Sequence, residues 1–88
     1  MSASTWFVYI LHCADNTLYT GITTDIERRL HQHNHTKTGA KYTRVRRPVN
    51  LVYQEQCETR SAATQREYEL KQLSRDEKIN VIKSHDIA

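Results

Sequence analysis

The run Trp6-Phe7-Val8-Tyr9-Ile10-Leu11 is almost continuously apolar and rich in β-formers. A strand with one wet face alternates polar and apolar residues. This one does not, which predicts a strand buried on both faces and therefore central in its sheet. Asp15-Asn16 supplies turn chemistry, and Thr17 to Thr23 reads as the return strand of a β-hairpin. In that strand Tyr19 and Gly21 share one face, while Leu18, Thr20 and Ile22 share the other. Gly21 has no side chain beside Tyr19, so a ligand or another backbone can approach closely there.

Thr24-Asp25-Ile26-Glu27 fits a capping box and predicts a helix from about residue 25. Ile26, Leu30 and His33 fall at i, i+4 and i+7, on one stripe. Arg29 flanks that stripe and Arg28 points away from it. Residues 35–48 read as a basic loop broken by Gly39 and Pro48. Val49 to Tyr53 reads as a third strand. A second helix is predicted from about Ser61, with Ala63, Leu70 and Leu73 as its apolar stripe and Glu67 between the first two. Ser74-Arg75-Asp76-Glu77 is another capping box, opening a short last helix with Ile79 and Ile82 inward. The fold class is α+β, a three-stranded antiparallel sheet that starts with the hairpin and is flanked by about three helices.

With 88 residues the chain has room for one domain and a modest core. The N-terminal apolar run lacks a basic leader and a small-residue cleavage site, and it is too short to span a bilayer. No membrane association is expected, and the cytoplasm is the expected compartment. Cys13 and Cys57 have no metal-ligand spacing and read as reduced, small apolar residues. Net charge is +3, and its distribution says more than its size. Arg28, Arg29, Lys37, Lys41, Arg44, Arg46 and Arg47 crowd a stretch with no acid before Glu55. A bunched positive stretch of this kind is the footprint of a polyanion partner.

Four groups of side chains carry chemical interest. Glu67 lies on an inward stripe, where a carboxylate is costly unless paired or bound to a cation. Two explanations compete, a salt bridge to Arg29 or a metal ligand, and position alone leans to the salt bridge. Arg29 has the matching ambiguity, since its planar fork can neutralise Glu67 or hold a phosphate. Tyr9 and Tyr19 can point to the same face across the hairpin, although packing is the ordinary role of a strand tyrosine. A phenol acts as a general base only when its pKa falls well below about 10. Of His31, His33 and His35, only His33 lies on the inward stripe. A hydrogen-bonded core histidine is the commoner outcome there, and a proton-carrying or phosphate-contacting one the rarer. The alternate spacing is not that of a zinc cluster on a helix.

These residues together resemble the GIY-YIG endonuclease domain: Val8-Tyr9, Tyr19-Thr20-Gly21, Arg29 eight positions past the glycine, and Glu67 in a later helix. The resemblance covers roughly Thr5 to Ser84. The stretches Tyr19 to Asp25 and Gly39-Ala40-Lys41-Tyr42-Thr43 resemble its small, stand-alone bacterial branch, the YhbQ-like proteins. The resemblance implies hydrolysis of a DNA phosphodiester with one divalent metal, magnesium or else manganese. It implies that Glu67 binds the metal and that Arg29 stabilises negative charge on the phosphate. Tyr9 and Tyr19 are implied to position or deprotonate the attacking water, His33 to lie near the phosphate, and Gly21, Lys41 and Tyr42 to meet the substrate. The chain departs from the pattern at Phe7, where the first motif has its glycine, and at Thr20, where the second has an aliphatic. Ile22 stands where the excision-repair members carry a lysine.

The resemblance thus leads to a magnesium-dependent endonuclease acting in DNA repair or on branched or single-stranded DNA. RNA is a further substrate to consider, and a protein partner a source of specificity, because no separate DNA-binding domain is visible. The alternative is a non-catalytic nucleic-acid-binding module that keeps the fold, with Glu67 and Arg29 as a structural pair. A protein-interaction domain using the sheet face is the third reading.

Overall fold

The computed structural model describes residues 5–86. The apolar opening run forms strand β1 (Trp6–Cys13), which lies between β2 (Leu18–Thr23) and β3 (Val49–Cys57) in an antiparallel sheet of order β2-β1-β3. The central position follows from burial on both faces. Val8 and Ile10 pack with Tyr53, Ala63 and Leu70 on one side, while Tyr9, Leu11 and Cys13 pack with Val49 on the other. The turn from β1 to β2 places Asn16 at φ 69°, a left-handed conformation that asparagine tolerates better than most residues.

Four helices cover the sheet: α1 (Ile26–His35), α2 (Lys41–Arg44), α3 (Arg60–Lys71) and α4 (Arg75–Asp86). Helix α1 sets Ile26 and Leu30 on the Tyr9 face, whereas α3 and α4 bring Ala63, Leu70, Val81 and Ile82 to the Val8 face. Helices α1 and α4 start at side-chain caps. Asp25, not Thr24, caps α1 by accepting from the Arg28 N–H at 3.1 Å. Ser74 and Glu77 form the predicted capping box, with Ser74 N–H donating to Glu77 Oε1 at 2.8 Å and Glu77 N–H to Ser74 Oγ at 3.2 Å.

Three sequence expectations need correction. The predicted basic loop contains α2, a single turn that sequence periodicity is too short to register. The last helix has 12 residues and is not short. Strand β3 runs on to Cys57, past the predicted end at Tyr53. A bulge explains why its pattern misleads: Ile10 pairs with Tyr53 but Leu11 pairs with Leu51, which leaves Val52 as the extra residue. Val49 and Leu51 therefore serve the Tyr9 face, while Val52, Tyr53 and Cys57 serve the opposite one.

The start of β3 is fastened to α1 by one side chain. Asn34 accepts from the Val49 N–H at 2.8 Å and donates through Nδ2 to the Val49 carbonyl at 3.0 Å. An amide thus completes the backbone pairing of a buried residue at the strand's open edge. Truncation of Asn34 to Ala should cost about 2 kcal/mol, roughly 1 kcal/mol per bond. A urea midpoint unchanged in Asn34→Ala would show that the clamp contributes nothing.

Candidate active site

Tyr9 sits opposite Gly21 in the hairpin register, and Tyr19 sits opposite Leu11, so both rings rise from the same face. Gly21 makes this possible. A Cβ there would fall 2.6 Å from the Tyr9 hydroxyl oxygen and 3.2 Å from the Tyr19 ring. The close approach expected at Gly21 is therefore made by the chain's own phenol.

His33 drops onto these rings from α1 and is fully buried. The Tyr9 hydroxyl lies 2.8 Å from His33 Nε2, and His33 Nδ1 lies 2.7 Å from Thr43 Oγ1. The His33 ring also meets Tyr19 edge-on, with centroids 5.3 Å apart. Tyr42 stacks on Tyr19 at 5.8 Å, and the Arg46 guanidinium covers the Tyr42 ring at 3.8 Å. The expectation of a hydrogen-bonded core histidine holds at His33. His31 and His35 stack on each other along the same helix, at 4.7 Å, away from this cluster.

Burial sets the protonation states. Desolvation pushes the Tyr9 phenol up to about 12, helped by the nearby Tyr19 and Glu67 and opposed by the Arg29 guanidinium. Desolvation, then the charges of Arg29 and Arg47, hold the His33 imidazole down at about 4. At neutral pH the pair is a neutral phenol and a neutral imidazole. Tyr9, Tyr19 and His33 form one ring cluster, and the charges of Arg29 and Glu67 act on its Tyr9 hydroxyl.

The predicted Glu67–Arg29 ion pair does not form. Glu67 reaches one turn along α3 to Lys71 at 3.3 Å, with 22% of its side chain exposed. Arg29 Nη1 instead donates to Gln32 Oε1 at 3.0 Å and to the Thr38 carbonyl at 2.9 Å. The basic stretch also divides. Arg46 is paired with Asp15 at 2.9 Å, and Arg47 is spent on the end of α1, where it donates to the carbonyls of His33, Gln32 and Thr36. Arg28, Lys37, Lys41 and Arg44 stay exposed, with no ion pair among the described residues. Tyr42 is 38% exposed at the same rim.

Thr43 and Arg47 are the residues to which sequence reading gave no individual role. Thr43 is polar, lies in a polar loop and gives no periodic signal. Its burial depends on Gly39, where a Cβ would fall 2.6 Å from the Gln32 carbonyl oxygen and 2.8 Å from the His33 Cα. Backbone cannot yield as a flexible side chain can, so glycine alone lets this loop press against α1.

The profile of the GIY-YIG catalytic domain matches residues 5–80. The chain belongs to the GIY-YIG catalytic-domain family. This is a family of nuclease type. A UPF0213 protein of Desulfotalea psychrophila is 58% identical over 81 residues, covering 92% of this chain and 74% of that one. A UPF0213 protein of Staphylococcus aureus is 54% identical over 77 residues, 88% of this chain and 93% of that one. A solution structure of a protein from E. faecalis superposes with TM-score 0.67 at 43% identity, covering 99% of this chain and 92% of that one. That of the UPF0213 protein from Bacillus halodurans gives 0.58 at 43% identity, covering 90% and 83%. The chain is thus a small GIY-YIG protein of the UPF0213 type. No described helix is long and apolar enough to cross a membrane.

Within this GIY-YIG site, His33 should titrate near pH 4 in nitrogen-detected NMR, since burial and then the charges of Arg29 and Arg47 disfavour its protonation. Below about pH 6.5 the unfolded chain takes up a proton that the native site refuses. Stability should therefore be whole above pH 6.5 and fall by roughly 3 kcal/mol as the pH drops toward 4. A His33 titration near 6.5 would contradict this.

Proposed function

We propose that this protein is a metal-dependent endonuclease that hydrolyses DNA phosphodiester bonds, with magnesium or manganese as the ion. The observation that carries the reading is the gathering of Tyr9, Tyr19, His33 and Arg29, with the charge of Glu67 within electrostatic reach of Tyr9, in a member of a nuclease family. Each has a role that suits its surroundings. Arg29 supplies a guanidinium for the charge that builds on the phosphate. Tyr19, only half-buried, is the phenol that can meet a water, and buried Tyr9 orients through its hydroxyl. His33 shares a hydrogen bond with the Tyr9 hydroxyl and holds that phenol in place.

The donor set suits a weakly held ion. No group of three or more His, Cys, Asp or Glu side chains gathers among the described residues. Magnesium commonly keeps several waters and needs only one or two carboxylates plus substrate phosphates. Glu67, with an exposed edge and a single lysine partner, matches that requirement. The ion's contribution when bound is to polarise a phosphate oxygen and to acidify water. The exposed cations Arg28, Lys37, Lys41 and Arg44, with Tyr42, form the rim along which a nucleic-acid backbone would run.

DNA repair, or processing of branched or single-stranded DNA, is the setting we infer, in the cytoplasm and with a protein partner that selects the site. A non-catalytic binding module has one observation in its favour, since the Lys71 ion pair satisfies Glu67 without a metal. Labelled duplex, single-stranded and branched DNA, with an RNA control, discriminates the two. Glu67→Ala should lose cleavage by about 100-fold or more, some 3 kcal/mol. Its stability should move by no more than about 0.5 kcal/mol, the value of an i,i+4 helix ion pair whose lysine is exposed. Equal cutting by both proteins would defeat the endonuclease reading, and binding without cutting by either would favour the module.

A further inference from the structure

Both ring nitrogens of His33 are engaged, and the bond to Thr43 decides which one carries the proton. Thr43 Oγ1 lies 3.0 Å from the Ala40 carbonyl oxygen and donates its only proton there. It therefore has only lone pairs to offer His33 Nδ1, at 2.7 Å. Nδ1 must be the protonated nitrogen, and Nε2 the acceptor that receives the Tyr9 hydroxyl proton at 2.8 Å.

The reverse polarity leaves one proton unplaced and one oxygen–oxygen contact unbridged. Thr43 would have to turn its proton toward Nδ1, which brings two oxygen atoms to 3.0 Å with no hydrogen between them. Tyr9 would accept from His33 on the oxygen that already faces the Arg29 cation, and its own proton would have no partner among the described residues. An unplaced buried hydroxyl proton costs about 1–3 kcal/mol. Tyr9 is buried, so water cannot make up the difference.

We propose that Thr43 is a positioning residue that fixes His33 in the Nδ1–H tautomer and so keeps Nε2 open toward the Tyr9 phenol. Its service to catalysis rests on the endonuclease reading above, while the tautomer itself does not. A hydroxyl suits the task because it accepts a hydrogen bond without bringing a charge. A carboxylate at the same place would draw a second proton onto the ring. Gly39 belongs to the same device, because it lets the loop bring Thr43 beneath the imidazole.

Long-range proton–nitrogen NMR on histidine-labelled protein tests this at neutral pH. In the parent the His33 signals should show protonated Nδ1 and bare Nε2. Protonated Nε2 in the parent overturns the proposal without any variant. Thr43→Val, close in shape but lacking the hydroxyl, should lose the single tautomer, and Thr43→Ser should restore it. A Thr43→Val spectrum unchanged at His33 also overturns it. On DNA, Thr43→Val should lower kcat by on the order of tenfold or more with KM unchanged, and Thr43→Ser should recover most of the loss. A lost tautomer with an unchanged kcat refutes the positioning role. Expected tautomers in a parent that cuts no DNA would instead sink the endonuclease reading and support the assignment of Thr43.

Discussion

A phenol buried in the middle of an apolar sheet face must place its proton, and that requirement ties together the Tyr9 side of this protein. Tyr9 is 2% exposed and lies among Leu11, Cys13 and Val49. Its hydroxyl reaches His33 on α1, and His33 reaches Thr43 on α2. Three elements distant in sequence are thereby joined by two short polar bonds inside an apolar layer. Purely apolar packing tolerates small rotations of α1 over the sheet. The bonds do not, because any slip would strand buried donors and acceptors.

The supporting contacts all act on the position of α1. Asn34 clamps its far end to the start of β3, and Arg47 gathers the carbonyls left open where the helix stops. Arg29 fastens the following loop through the Thr38 carbonyl while its guanidinium faces Tyr9. Two arginines near His33 also explain why the imidazole remains neutral, since each adds to the cost of a further positive charge. One helix thus holds both the cation and the neutral base of the site. Glu67 approaches from α3, which packs on the opposite layer, and its charge still acts on Tyr9.

The division of labour among the basic residues follows the same logic. Arg46 and Arg47 look equivalent to Arg44 in the sequence, yet both are drawn into the fold. Arg46 covers the Tyr42 ring and pairs with Asp15 in the hairpin turn, which holds α2 against the end of β1. The cations left for a polyanion are fewer than the charge run suggested, and they lie on α1, α2 and the loop between them.

The sequence by itself determined the central strand, the hairpin, the order of the three longer helices and the identity of the family, because these are written in local signals. An unbroken apolar run, turn residues, capping residues and a spaced set of tyrosines, arginine and glutamate are all legible along the chain. The capping box at Ser74 and the inward face of His33 were readable for this reason. Only the tertiary structure decided partners. Periodicity gives a face but not a neighbour, so Glu67 was open to Arg29 and found Lys71. A bulge at Val52 changed the phase of β3 where no residue type announced it. Thr43 lay hidden because an isolated polar residue in a loop has no pattern. Its burial, and the proton order it imposes on His33, exist only once Gly39 brings the loop against the helix.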